Sequence, residues 1–423
     1  MKNGWTCLAW LALAASAAAE PMTWEACVRR AAALNPTLVA AREQFSAAEF
    51  NVGSAKSASR PQLSLGGSAE HAEQDGVASG GDASMSVSAS AEQTLYTGGR
   101  NAASVDAARA ALDSARADYE RADAEVTYNL RRAFVNLLLA QEQVEVLRQI
   151  EQRRRDNLEL VNLRYEGGRE HKGSLALIQA SLNQAEIQVR QGQREVEAAR
   201  RILLRTMGEE RADDTLTVSG SLTCRPAPDS VDWQAEAEGT PAYAQALAST
   251  RSAEAGVRSA RSGYRPDISL SATAGRSGNE DVFDTDRWAA GVRLSFPLWS
   301  GGRTRYEVAS ARASLARAEA QESETVNGLI NDLNESWVSY CNAVENVVVQ
   351  ESYFAAADLR AEIAREQYGA GLLTFENWDV IENDRISYQR QLLQSQQQAL
   401  LAEAAWRYVT GRGDFPAENE VSR

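Results

Sequence analysis

The sequence predicts a mainly α-helical chain with a small β part. Long coiled-coil helical hairpins are joined to four amphipathic β-strands, and the whole is built by internal duplication. Three observations carry this prediction: a self-match at a nearly fixed shift, two blocks of period-two alternation in each half, and sustained heptads after each block.

The self-match comes first because it dictates the architecture. Pro36 and the pair Arg60-Pro61 recur as Pro241 and Arg265-Pro266 at a shift of 205. Leu95-Tyr96-Thr97-Gly98-Gly99-Arg100 then recurs as Leu298-Trp299-Ser300-Gly301-Gly302-Arg303 at a shift of 203. Tyr165, Gly168 and Gly208 match Tyr368, Gly371 and Gly411 in that second register. Although 423 residues would otherwise suggest two or three domains, the same supersecondary unit is used twice. The first repeat covers 20–208 and the second 241–411, with a joining segment at 209–240 that contains Pro226 and Pro228, and a C-terminal tail at 412–423.

Ahead of the repeats, Lys2 precedes an apolar run at 8–15 and the small residues Ala17-Ala18-Ala19. This is the order of a secretory signal peptide covering residues 1–19, whose cleavage would remove Cys7. Its apolar stretch is too short to span a bilayer, and no later stretch of about 18 apolar residues occurs, so a membrane role requires strands. Cys27, Cys224 and Cys341 remain, an odd number that makes no disulfide framework alone and reads as packing residues.

Within each half, the segment after Arg-Pro alternates. Leu63, Leu65 and Ala69 interleave with Ser64, Ser68 and Glu70, and Met85, Val87, Ala89 and Ala91 with serines. The second half repeats the pattern with Ile268, Leu270, Ala272 and Ala274, then Trp288, Ala290, Val292, Leu294 and Phe296. Period two means strands, giving hairpins at about 61–97 and 266–299, with Gly- and Asp-rich loops expected at 72–83 and 276–286. Strands of about ten residues with one apolar and one small polar face suit a barrel with lipid outside and water inside. One such strand would equally suit a half-buried hairpin of a soluble domain; four behind an export signal favour the membrane. Tyr96, Trp288 and Trp299 fall near strand ends, where interface aromatics belong, and Arg293 falls in the inward series, the comfortable place for an arginine at membrane depth. Pro61, Gly98, Gly99, Pro266, Gly301 and Gly302 read as strand–helix joints.

After each Gly-Gly the period changes. Val105, Leu112, Tyr119 and Val126, then Leu137, Val144, Leu158 and Tyr165, recur by sevens; Leu333, Tyr340, Val347, Phe354, Ala361 and Tyr368 repeat this in the second half. No proline interrupts residues 100–165, so the helix would run roughly 100 Å. The chain turns at Gly167-Gly168 and at Gly369-Ala370-Gly371, and helical hairpins follow at about 100–208 and 302–411. Helices of that length need neighbours along their apolar stripe.

The duplicated Arg-Pro, the paired Gly-Gly-Arg segments and the Tyr-Gly-Ala-Gly-Leu-Leu-Thr run at 368–374 give the chain its likeness: over residues 23–411 it resembles the outer-membrane efflux proteins, the TolC-like exit ducts. The resemblance implies a homotrimer in the bacterial outer membrane, with a twelve-stranded barrel continuous with a periplasmic helical tunnel. The resemblance further implies that it would serve as the exit of a tripartite efflux or type I secretion system fed by an inner-membrane pump and a periplasmic adaptor. Closure supports part of this independently. An open sheet edge leaves backbone groups unpaired in hydrocarbon, and three sets of four strands are the smallest closed set that leaves a pore. The resemblance places adaptor docking at the turns, on Gly168, Arg169, Ala370, Gly371 and Leu372, and the periplasmic mouth at Tyr368, Glu376, Asp379, Glu382, His171 and Lys172. Leu373, Asn377 and Val380 depart from the family's usual arginine and aspartate lock, and Asp379 becomes the best placed lumen-facing acid, three copies of which would attract cations.

Chemistry of other kinds finds no foothold. The two histidines, His71 and His171, are 100 residues apart, no ligand cluster has metal spacing, and Gly-Gly-Arg lacks the lysine and serine of a phosphate loop. No enzyme activity, cofactor or metal is expected, and a formal net charge of −14 argues against nucleic acid. The competing reading is a periplasmic coiled-coil adaptor or scaffold with no pore.

Overall fold

The computed structural model describes residues 21–72, 82–209, 215–228, 230–279 and 282–415. Residues 1–20, which include the expected signal peptide, lie outside these, as do the central part of the first expected loop and the last eight residues.

Two short helices, α1 (Trp24–Leu34) and α2 (Pro36–Ser57), lead into β1 (Gln62–Ala72) and β2 (Asp82–Thr97), and the long hairpin α3 (Arg100–Glu166) and α4 (Lys172–Met207) follows. The second half repeats this order as α5 (Trp233–Glu238), α6 (Pro241–Ser262), β3 (Asp267–Asn279), β4 (Val282–Ser295), α7 (Arg303–Ala370) and α8 (Phe375–Val409). No described helix is long and apolar enough to cross a membrane.

Local chemistry sets these bounds. Asn35 caps α2 through its side chain, Thr240 caps α6, and a proline occupies the first turn of each. All four long helices end the same way. The glycines Gly168, Gly208, Gly371 and Gly411 take positive φ, and the next residue's N–H reaches back five residues, as Arg169 does to the Arg164 carbonyl and Leu372 to Gln367.

The helices pack side by side in one layer. Near the sheet α3 lies between α2 and α6, and towards the far tip it lies between α4 and α8; α7 lies beside α6 and then α8. The end of α4 meets the start of α2, where Asn35 Nδ2 donates to the Thr206 carbonyl (2.8 Å) and a Cβ on Gly208 would collide with the Leu34 carbonyl oxygen. Gly411 abuts Pro241 in the same way at the end of α8. Gly208→Ala is therefore expected to cost about 3 kcal/mol, strain plus displaced backbone. Gly168→Ala has open space around it and should cost only about 1 kcal/mol, so melting followed by circular dichroism should rank the two in that order.

The sheet is antiparallel in the order β1-β2-β3-β4, which leaves β1 and β4 as edges. Its register puts like with like across strands. Ser64 faces Ser90 and Ser68 faces Ser86 on one face, with hydroxyl contacts of 2.6 and 2.8 Å, while Leu65 faces Ala89, Ala272 faces Ala290 and Leu270 faces Val292 on the other. Arg293 pairs with Ser269, on the hydroxyl face. The expected loop at 276–286 is corrected: β3 runs on to Asn279 and β4 starts at Val282. Arg276 and Asp286, read as loop residues, are cross-strand partners joined by an ion pair, a pairing that composition alone does not reveal.

The joining segment holds the waist. Met22 pairs with Val218, Gln141 brackets Val218 with bonds of 2.9 and 3.0 Å, and further on the Arg225 carbonyl accepts from Tyr340 Oη (2.8 Å) and the Pro228 carbonyl from Trp337 Nε1 (3.1 Å). After α8 the chain crosses α3, where the Asp414 N–H donates to Thr127 Oγ1 (3.0 Å) and Phe415 enters the core formed with Val126, Leu130 and Phe134. Burial there, with Asp414 and Glu120 nearby, pushes the Asp123 carboxyl up to about 6 against hydrogen bonds from the Phe415 N–H and Thr127. The first and second repeats are thus tied by both ends of the second.

Candidate functional site

The two helical turns lie at the end of the layer away from the sheet. Gly168, Arg169, His171, Lys172, Ala370, Gly371, Leu372 and Glu376 are all exposed, and Leu372 is 80% exposed. His171 caps α4, its ring accepting from the Ser174 N–H (3.3 Å). The turn residues therefore offer a surface, and the two glycines hold their conformation whatever docks there.

Just inside the turns is an aromatic plug. Tyr368 is fully buried, its ring stacked on Trp378 at 4.3 Å and 9°, with Phe375 edge-on to both. The Arg164 guanidinium covers the other side of the ring at 4.5 Å and donates to the Tyr368 carbonyl (2.6 Å). Tyr368 Oη donates to Glu170 Oε2 (3.0 Å), which joins the two turns. Burial first, then the Glu170 carboxylate, push the Tyr368 hydroxyl well above its ordinary value. Burial opposes ionisation of Glu170, but hydrogen bonds from Ser174, the His171 N–H and Tyr368 outweigh it and hold this carboxyl below its usual range.

About one turn deeper along α8 and about three along α3, α3 grips α8 through two adjacent arginines. Arg153 makes a forked pair with Glu382 at 3.0 and 3.3 Å, and Glu382 is 1% exposed. Arg154 donates to Asp379 Oδ1 (3.2 Å) and to Asn383 Oδ1 (2.5 Å), and Asn383 donates back to Asp379 (3.0 Å). Asp379, expected as a lumen-facing acid, is engaged by Arg154 and Asn383 of its own subunit, and Glu382 is buried in a helix–helix seam. Glu376 is exposed on the same helix, while Asn377 is exposed and Val380 is 57% exposed.

The α3 side of this seam departs from the heptad reading. Tyr165 is exposed, and the buried stripe runs through Ile150, Arg154, Asn157 and Val161. Asn157 is 1% exposed, and among the described residues neither of its side-chain polar atoms has a partner; the same holds for Trp378 Nε1. Nearer the waist, from Leu130 to Ile150, the same helix buries only apolar side chains, such as Leu130, Leu137 and Leu147. Sequence reasoning missed Arg153, Arg154, Asn157 and Arg164 because it sought apolar heptad positions. The spacing of 154, 157, 161 and 164 was itself the available signal.

Arg293 lies in the strands, far from the tip in the chain. The joints carry the positive φ expected of them: 62° and 96° at Gly98 and Gly99, 63° and 88° at Gly301 and Gly302. Arg265, beside Pro266, donates to the Gly98 carbonyl (3.1 Å), and Arg100 pairs with Asp267 (3.0 Å), so the first joint is clasped by the segment that opens β3. Pro61 sits at the equivalent place before β1.

A four-stranded sheet with one lipid-suited face, continued by a layer of helices about 100 Å long, defines a membrane-spanning duct subunit. The outer membrane efflux protein model matches residues 27–209 and 234–412, and the chain belongs to that family. It is a non-enzymatic outer-membrane efflux channel subunit that extends into the periplasm. The outer membrane efflux protein BepC of Brucella suis is 24% identical over 401 residues, 89% of this chain and 83% of that one. The outer membrane protein VceC of Vibrio cholerae superposes with a TM-score of 0.75 at 21% identity over 92% of this chain and 96% of that one. The open state of the MtrE outer membrane channel of Neisseria gonorrhoeae gives a TM-score of 0.79 at 16% identity, over 92% and 89%. TolC-like channels are trimers that work with adaptors and pumps.

Proposed function

We propose that three copies of this chain close a twelve-stranded barrel and a periplasmic tunnel. In this reading the trimer is the exit duct of a tripartite efflux or type I secretion system, receiving substrate from an inner-membrane pump through a periplasmic adaptor. The observation that carries the proposal is the exposed apolar face of the sheet, with Leu63, Leu65 and Trp288 between 78% and 84% exposed and unpaired edges at β1 and β4. Such a face is tolerable in lipid and such edges are not, so the strands must close with other copies.

The turns at Gly168-Arg169 and Ala370-Gly371-Leu372 are proposed to dock the adaptor, with His171, Lys172 and Glu376 bordering that surface. The mouth is held by Tyr368 and its plug and by the Arg153–Glu382 and Arg154–Asp379 pairs, which take the place of the family's usual lock. Each unpartnered buried polar group weakens the closed seam by about 1–3 kcal/mol, so Asn157 and Trp378 favour separation of α8 from α3 at the tip. The pump supplies the energy, and the duct loosens like an iris.

Purified protein in planar bilayers should give discrete conductance steps and migrate as a heat-modifiable trimer. A protein that washes from membranes with carbonate and never conducts, even with the mouth pairs removed, would sink this reading. Gly371→Cys should cross-link to a co-purifying adaptor, whereas a cysteine at Gly53 beside the sheet should not.

A further inference from the structure

Beyond α8 the chain does not trail away from the helices. Each of residues 411–415 finds its own anchor at the waist, and together they reach α1, α3, α5, α6 and α8. Gly411, at φ 71°, abuts Pro241 at the start of α6. Arg412 reaches both carboxylate oxygens of Glu236 on α5, at 2.9 and 3.0 Å. Gly413 lies against Asp123 of α3 so closely that a Cβ there would fall on the carboxylate. Asp414 is forked by Arg407 of α8 and accepts from Trp24 Nε1 of α1 (3.1 Å), and Phe415 is buried against Val126, Leu130 and Phe134.

Asp123 is the centre of this arrangement. Its carboxylate accepts from the Phe415 N–H and from Thr127 Oγ1 (3.2 Å), and Thr127 Oγ1 in turn accepts from the Asp414 N–H (3.0 Å). Two successive amides of the tail are thus held by one carboxyl group, the first through a hydroxyl and the second directly. The charged groups that act on Asp123 are acids, Asp414 on the tail and Glu120 about one turn back on α3. The neighbouring cations serve other partners. Arg407 is taken by Asp414, Arg412 by Glu236 and Arg116 of α3 by Glu120, while Arg131 of α3 lies over the Trp24 ring at 4.6 Å and faces Asp414 and Glu403. From α6 and α1 come the uncharged Pro241 and Trp24.

Burial beneath the tail, joined by the two acids, outweighs the hydrogen bonds and pushes the Asp123 carboxyl up to about 6. Release of the tail removes Gly413, the Phe415 N–H and Asp414 together, and returns the group towards the ordinary value of about 4. The docked tail is therefore the form that binds the proton more tightly. Docking strengthens as pH falls through about 6 and weakens as pH rises past it. Protonation preserves the geometry, since the new hydroxyl can donate to Thr127 Oγ1 while the other oxygen still accepts from the Phe415 N–H.

We propose that residues 411–415 are a proton-tightened strap that pins the base of α8 to α3 at the waist, with the Asp123 carboxyl as its fastening. In the duct proposed above, α8 separates from α3 at the far tip, so a pinned base restrains that swing and mild acid restrains it further. The restraint on opening rests on that reading, whereas the strap is a contact within one chain.

Amide hydrogen exchange of the C-terminal peptide, measured on the full chain and corrected for the intrinsic effect of pH, tests the strap. Protection of residues 411–415 should rise severalfold from pH 7.5 to pH 5, about tenfold at most. Asp123→Asn keeps both hydrogen bonds without the charge, and its protection should be high at both pH values. Glu120→Gln removes one of the two acids and leaves the bonds of the tail intact, so the midpoint should move to lower pH. Gly413→Ala should strip the protection at every pH while the helical circular dichroism stays in place. In planar bilayers at pH 7.5, Gly413→Ala should open more often than the unaltered channel and Asp123→Asn less often. Protection that is flat with pH in the unaltered chain, or that changes equally in Asp123→Asn, overturns the strap. Equal opening of the two variants, with exchange behaving as expected, overturns its hold on the mouth. A protein that never conducts overturns the duct, and the exchange result still decides the strap.

Discussion

Arg153→Ala is expected to raise single-channel conductance and lower the stability of the tip together, by the largest margin of any single change at the mouth. The substitution leaves Glu382, 1% exposed, as a buried carboxylate without its forked partner, a situation worth about 3–5 kcal/mol of destabilisation. Opening the seam restores water to that carboxylate, so the penalty falls on the closed state. Glu382→Gln should act in the same direction but more weakly, because the amide oxygen still accepts from Arg153 and the arginine side chain left with it is 19% exposed. The exchange Arg153→Glu with Glu382→Arg should recover part of the closed conductance, since the pair is re-formed with its ends reversed. Planar-bilayer recordings of the four proteins decide it: unchanged conductance in both single variants would show that this pair does not hold the mouth.

Val292→Arg is expected to abolish the outer-membrane trimer, whereas Ser271→Arg is expected to be tolerated. The two positions are on neighbouring strands at almost the same height, Leu270 facing Val292 and Ser271 facing Gly291, but on opposite faces of the sheet. An arginine on the lipid face near mid-depth costs about 2–4 kcal/mol, and a trimer pays it three times; on the water face it has a solvated place beside Arg293. Membrane fractionation and electrophoresis without heating separate the outcomes, and equal trimer yields from both variants would refute the assignment of faces.

Much of this architecture was legible in the residues. The offset between Arg60-Pro61 and Arg265-Pro266 fixed the repeat, and the alternation from Met85 to Ala91 fixed which face of the sheet is apolar, because both depend on local order alone. The glycines at 168, 208, 371 and 411 likewise marked every long helix end, since that turn needs positive φ. What escaped was set by partners remote in the chain. Arg276 and Asp286 looked like loop because nothing nearby announces a cross-strand ion pair. The clamp escaped because Arg153 and Glu382 are 229 residues apart, and an arginine on a helix ordinarily means a solvated face. Tyr165 was misread for the related reason that its heptad continues past the point where Arg154 and Asn157 take over the buried stripe.

The hydroxyl face of the sheet has a consequence for traffic. Ser64, Ser68, Ser86, Ser90, Ser271 and Thr273 present short side chains whose hydrogen bonds exchange with water at little net gain, on the order of 1 kcal/mol or less. A travelling molecule finds few footholds on such a wall and no deep resting place. In the duct proposed above, the last stage of exit therefore discriminates weakly among uncharged molecules, and charge is met there at Arg293 and Glu92, which share this face.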